Sequence, residues 1–233
     1  MSEWILADGH VHLYACADRD LFLEAAWRNL SAGARGLDAA RWDACLFFTE
    51  TARDNAFDTL CTAEAAALPA GWRLRRLPED SAAAVLLREQ DGAALTVIAG
   101  RQVISSEGIE VLALATVRRF CDGRPAAALL GELQAAGIPA VLPWGVGKWL
   151  GRRGRLVAEL LQTQAAPGLF LGDNAGRPRA GQCHPCSGAG RRFFREPTRC
   201  PCRGQKRVSD VMVLPWRAHS ARTGRPQIWQ RGS

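Results

Sequence analysis

Trp4-Ile5-Leu6-Ala7-Asp8-Gly9-His10-Val11-His12-Leu13 is the stretch on which the reading of this chain turns. A short apolar run enters a polar end, the pattern of a buried strand that stops at a solvent-facing rim. Residues two apart on a strand point to the same side. His10 and His12 therefore project together, and two imidazoles so placed can share one metal ion. Gly9 lets the backbone bend beside them. If this is the first strand of an α/β barrel, its C-terminal end is the face on which barrel active sites lie.

Outward from this stretch, helix and strand patterns alternate. Residues 19–34 have helical spacing, with Leu21, Phe22, Ala25, Ala26 and Leu30 on one side and Asp18 placed as the cap. Residues 44–49 read as an apolar strand and 52–67 as helix. Residues 71–77, 83–88, 94–104 and 109–115 are β-rich runs separated by turn signals, which predicts a small antiparallel meander inserted at about 71–115. Residues 125–136 read as a helix ended by Gly137, 138–143 as a strand, 152–164 as a helix and 168–171 as a strand. Such alternation implies parallel strands with crossover helices, hence a TIM-barrel-like α/β fold.

Composition sets the bounds. The chain has 233 residues, 48% of them hydrophobic, enough for one full core. No stretch approaches the ~20 apolar residues of a membrane-spanning helix. The start lacks the basic residues of a signal peptide, so a cytoplasmic protein without membrane contact is expected. The net charge of +7 is uneven: residues 180–233 hold 11 basic and 2 acidic side chains, and the body before them is slightly acidic. The body is read as one unit, residues 1–178, an incomplete barrel followed by an Arg/Pro/Gly/Cys-rich tail, 179–233. Cys16, Cys45, Cys61 and Cys121 are widely spaced among apolar residues and read as small buried hydrophobes. Nothing resembles a secreted disulfide framework.

Ala7-Asp8-Gly9-His10-Val11-His12-Leu13 resembles the opening motif of PHP-domain phosphoesterases and of the wider amidohydrolase-like metal hydrolases. Phe48-Thr49-Glu50-Thr51 stands where PHP proteins have Thr-Asp-His. Gly100-Arg101-Gln102-Val103, followed by Gly108-Ile109-Glu110-Val111-Leu112-Ala113-Leu114, is similar to their Gly-x-Glu strand, turn and apolar strand. The resemblance spans about residues 4–175, and it implies a PHP-like barrel, seven-stranded in one form, with a divalent metal (Zn, Mn or Fe) and a small-molecule phosphoester substrate. Departures are specific. Thr51 replaces a histidine, Glu50 an aspartate and Gln102 a glutamate, and no histidine lies between His12 and His184. A single-metal site, or none, fits this better than a metal cluster.

The metal ligands expected are His10, His12, Glu50 and Asp173. Metal so held lowers the pKa of its water and supplies hydroxide at neutral pH. Glu50 or Asp173 then takes a proton, and Lys148 and Arg177 stabilise a phosphate or carboxylate. Lys148 lies in Pro143-Trp144-Gly145-Val146-Gly147-Lys148-Trp149, which lacks the Ser/Thr and the glycine spacing of a Walker loop. Asp173 and Arg177 lie in Gly172-Asp173-Asn174-Ala175-Gly176-Arg177, which also has turn chemistry. Alternatives are a non-catalytic barrel relative that keeps a ligand pocket, and nucleic-acid binding through the basic tail.

The tail itself has three readings: a disordered basic arm, a zinc module or a shifted reading frame. Cys183-His184-Pro185-Cys186 and Cys200-Pro201-Cys202 have zinc-ligand types, but the second pair is too closely spaced and no apolar residues cover it. From 179 to about 207 there is no helical or strand period, and 211–216 is the only apolar run left. Shifting the frame back by one nucleotide across 191–216 permits a segment with Gly-Thr-Asp at a strand end, where this hydrolase class supplies an aspartate. Sequencing the gene through codons 176–195 tests the shift, and an uninterrupted frame there ends it.

Overall fold

The computed structural model describes residues 3–36, 41–62, 68–143, 151–164 and 168–174, with two further strands at 193–196 and 212–216; for Glu3, Asp173, Asn174 and those two strands only the backbone is described. The elements in chain order are β1 (Glu3–Val11), α1 (Arg19–Gly36), β2 (Trp42–Glu50), α2 (Ala56–Thr62), β3 (Trp72–Arg76), β4 (Ala83–Arg88), β5 (Ala94–Ile104), β6 (Glu110–Leu114), α3 (Ala126–Ala135), β7 (Ala140–Pro143), α4 (Gly151–Thr163), β8 (Leu169–Asn174), β9 (Phe193–Glu196) and β10 (Met212–Trp216). The fold is mixed α/β, with the sheet curled as a half-barrel.

The strand order is β10-β1-β2-β5-β6-β7-β8-β9. β1, β2 and β5 are parallel, as are β7, β8 and β9, but β6 is antiparallel to both neighbours. The sheet is therefore not the uniformly parallel one that the alternation implied. Nor is the meander a separate insertion. One edge of β5 pairs with β2 along its length; the other is shared, with β4 on residues 94–98 and β6 on residues 100–104. Only β3 and β4 leave the main path. In the tail, Met212–Trp216 is the apolar run seen in the sequence and lies antiparallel to β1, whereas Phe193–Glu196 is a strand where no period was visible.

Alternation along the strands separates two apolar layers. Leu6, Leu46, Phe48, Leu95 and Val97 face outward under α1 and α2, packed with Phe22, Leu23, Leu30, Phe57 and Leu60. Val103, Val111, Ala113, Leu142 and Leu171 continue that outer face under α3 and α4. Ala7, Phe47, Ile98, Leu112, Leu114 and Val141 fill the concave side. The Asp18 carboxylate accepts the Leu21 N–H and caps α1 as expected, but Leu21 itself is 69% exposed and Leu23 takes the buried place. α3 ends at Gly137, whose φ of 67° closes the turn with Ile138 N–H on the Leu133 carbonyl. α2 starts only at Ala56, later than the expected 52, because residues 51–55 form a turn. Cys16 and Cys121 lie in exposed loops rather than in the core; Cys45 and Cys61 are half-buried, and burial pushes the Cys45 thiol up to about 12.

Gly100 sits where β5 changes partner from β4 to β6. A Cβ there would lie 2.9 Å from the Ala113 carbonyl oxygen and 3.3 Å from that of Phe48, both backbone atoms. Gly100→Ala is expected to destabilise by roughly 1–3 kcal/mol through forced strand displacement. A urea midpoint equal to that of the unchanged protein would show that the strands can separate freely there.

Candidate functional site

Strict alternation on β1 would turn its histidines away from the concave side: Ala7 faces inward and Leu6 outward. A bulge corrects this. The register pairs Asp8 with Leu46 but Val11 with Phe48, so β1 spends one residue more than β2. An odd residue reverses the facing of everything beyond it. Val11 and Leu13 join the outer core, and His10 and His12 turn inward. Asp8 supports the bulge by accepting the His10 N–H at 3.1 Å. On β5, Ile98 faces inward, so Gln102 does too, at the same rim.

Three side chains meet there. His10 Nε2 lies 2.8 Å from Gln102 Oε1, His12 Nε2 lies 3.1 Å from the same oxygen, and the two Nε2 atoms are 2.9 Å apart. Protons alone cannot make all three contacts favourable. A neutral imidazole nitrogen either donates or accepts. If both Nε2 atoms carry hydrogen, the two N–H groups oppose each other. If one does not, its lone pair faces the amide oxygen. Turning the amide around satisfies both nitrogens but leaves their lone pairs opposed. A cation at the centre meets all three lone pairs at once. Metal–nitrogen or metal–oxygen bonds of about 2.1 Å place adjacent octahedral donors about 3.0 Å apart, the spacing found here.

Burial keeps the imidazoles in the form that binds a cation. His10 is 8% exposed. Desolvation and then the neighbouring His10 lower the His12 pKa to about 4, while the Asp54 and Glu110 carboxylates pull it back. His12 Nδ1 is buried without a hydrogen-bond partner, and the ring is held instead by stacking on Tyr14, 5.7 Å between centroids. Because the folded pKa lies below the ordinary 6.5, the unfolded chain takes up the proton first. Stability is full above about pH 6.5 and falls as pH drops towards 4, by on the order of 2 kcal/mol for a partly exposed ring. Urea midpoints at pH 7 and pH 4.5 should separate for the unchanged protein and converge in His12→Gln; an equal drop in both would assign the acid sensitivity elsewhere.

Glu50 is not brought to this group. It pairs with Arg101 in the β2–β5 register, and both face outward. Its Oε2 accepts Arg101 Nη1 at 2.7 Å, and its Oε1 accepts the Phe57 N–H at 2.5 Å, at the start of α2. Burial raises the Glu50 pKa, and the Phe57 N–H and Arg101 draw it down again. The chain places a neutral amide, Gln102, beside the histidines and spends its carboxylate on a structural pair. Asp173 is on β8 by its backbone; its side chain, Lys148 and Arg177 lie outside the described residues, as do the tail cysteines and His184. Among the described residues no three His, Cys, Asp or Glu side chains group as a metal would require, so the third donor is the amide.

Compared with protein-family models, with curated proteins and with solved structures, the chain matches none. The argument for this site therefore stands on its own residues. Among the described residues, no helix is long and apolar enough to cross a membrane. The residues that sequence reasoning weighted too little are Gln102, dismissed as a poor ligand, and Glu110 and Asp54, whose charges reach His12. Strand alternation from Leu112 marks Glu110 as inward-facing, which was the available signal.

Proposed function

We propose that this chain is a cytoplasmic, TIM-barrel-like, single-metal hydrolase acting on a small-molecule phosphoester. The convergence of His10 Nε2, His12 Nε2 and Gln102 Oε1 within 3.1 Å carries the metal part of the reading. The substrate class comes from the likeness of residues 7–13 to the PHP opening motif. Imidazole-rich sites suit Zn or Fe, and the all-neutral set leaves Mn open. Such a cation, when bound, supplies a Lewis acid and an activated water at neutral pH.

The chain's own part is positioning. The bulge at Asp8–Val11 aims two imidazoles, β5 aims the amide, and the core beneath holds the three in one place. Opposite Gln102 the rim offers Glu110 and Asp54 as charges of the sign that favours a cation. The four described cysteines are unpaired, in keeping with a reducing compartment.

Purified protein loaded with Mn²⁺ or Zn²⁺ is expected to retain about one metal ion per chain after desalting and to hydrolyse p-nitrophenyl phosphate. His10→Ala and His12→Ala should lose both properties. Metal below ~0.2 per chain, with no hydrolysis, rejects the reading. Metal retention without hydrolysis favours the non-catalytic relative, for which the neutral Gln102 in place of a carboxylate speaks. Salt-sensitive nucleic-acid binding that disappears on deleting residues 180–233 would favour the tail-borne alternative.

A further inference from the structure

We propose that Glu110 is the proton acceptor of this site, an inference that rests on the hydrolase reading above. Glu110 opens β6 and pairs with Ile104, while Gln102 pairs with Leu112 two residues further along β6. Leu112 and Leu114 lie in the concave core, and Val111 and Ala113 in the outer one. Alternation therefore puts the Glu110 carboxyl on the concave side, diagonal to Gln102 at the same rim, about 5–8 Å across the strand pair. That is one water away from a ligand held by the three donors, near enough for its charge to act on His12. It is half-buried, so water reaches it.

Other carboxylates serve less well. Glu50 is bound on the outer face by Arg101 and the Phe57 N–H. Asp54 also acts on His12, but its Oδ2 accepts the Thr51 hydroxyl at 2.6 Å, fixing it within its own turn. In the proposed step, Glu110 takes one proton from water while the water oxygen forms a bond to phosphorus. The bond from phosphorus to the leaving oxygen breaks with its electron pair, and the proton held by Glu110 passes to that oxygen. Nothing is oxidised or reduced, and the carboxylate is regenerated.

The test uses the full chain with Mn²⁺ and p-nitrophenyl phosphate. Glu110→Gln is expected to lower kcat/KM by about 10²–10⁴, the range of a lost general base, while its Mn²⁺ Kd by calorimetry stays within about tenfold of the unchanged protein. Added formate should restore part of the turnover of Glu110→Ala, a response that a merely structural residue does not give. If Glu110→Gln turns over within threefold of the unchanged protein, or formate restores nothing, the role is overturned while the metal-site reading stands. If Glu110→Gln loses Mn²⁺ as fully as His10→Ala, Glu110 is a ligand and not the base. An unchanged protein that binds no Mn²⁺ overturns the site and this role together.

Discussion

Gln102→Glu is expected to tighten Mn²⁺ or Zn²⁺ binding by on the order of 10²-fold at pH 7.5. The three donors that meet at the rim are two imidazoles and an amide, and none offsets the charge of a dication. Ligand charge count is the main lever on the affinity of such sites. A glutamate at 102 has the same length as the glutamine and reaches the same point from β5, so geometry is kept while one full negative charge is added. The same carboxylate would attract protons to His10 and His12, which weakens the gain towards acid pH and leaves it largest above neutrality. Gln102→Ala should move affinity the other way by deleting a donor. Calorimetric titration of the three proteins reads the series directly. An affinity for Gln102→Glu within threefold of the unchanged protein would mean that no cation sits among these side chains.

The series also shows how far the sequence speaks. The His-x-His pair was legible because strand periodicity predicts a shared face, and the two rings do meet. The reason they face inward was not legible. Plain alternation from Ala7 points them outward, and only the extra residue at Asp8–Val11, visible in the register with β2, reverses them. Glu50 looked like a ligand because it ends a strand next to the motif. Its facing depends on which strand becomes its neighbour, and Arg101 is 51 residues away in sequence. The helices at 19–36, 126–135 and 151–163 were visible from local signals, a cap at Asp18 and a stop at Gly137 among them. The direction of β6 was not, because an antiparallel return through the turn at Ser105–Gly108 and a parallel crossover differ in length and not in apolar pattern. Gln102 was underrated for chemical rather than structural reasons: an amide looks inert until two imidazoles are found against it.

Arg101→Met is expected to be among the most damaging substitutions in the body, costing about 3–5 kcal/mol. Arg101 and Glu50 are 7% and 2% exposed, and they join β5 to β2 and to the first turn of α2 on the outer face. Removing the guanidinium leaves a buried carboxylate with only the Phe57 N–H. Its pKa, already raised by burial, loses the pull of Arg101 and rises further. A raised carboxyl pKa means that the folded state binds the proton more tightly than the unfolded one. The variant should therefore be most stable at acid pH, where Glu50 is protonated in both states, and lose stability as pH rises above the ordinary 4.5 through the folded value. That is opposite in sign to the acid loss assigned to His12. Glu50→Gln in the Arg101→Met background should recover much of the loss and abolish its pH dependence, because a neutral amide can still accept the Phe57 N–H. Urea unfolding of the two variants at pH 5 and pH 8 decides the matter. A double variant no more stable than Arg101→Met would show that the pair is not what ties α2 to the sheet, and would reopen Glu50 as a residue free to serve the site.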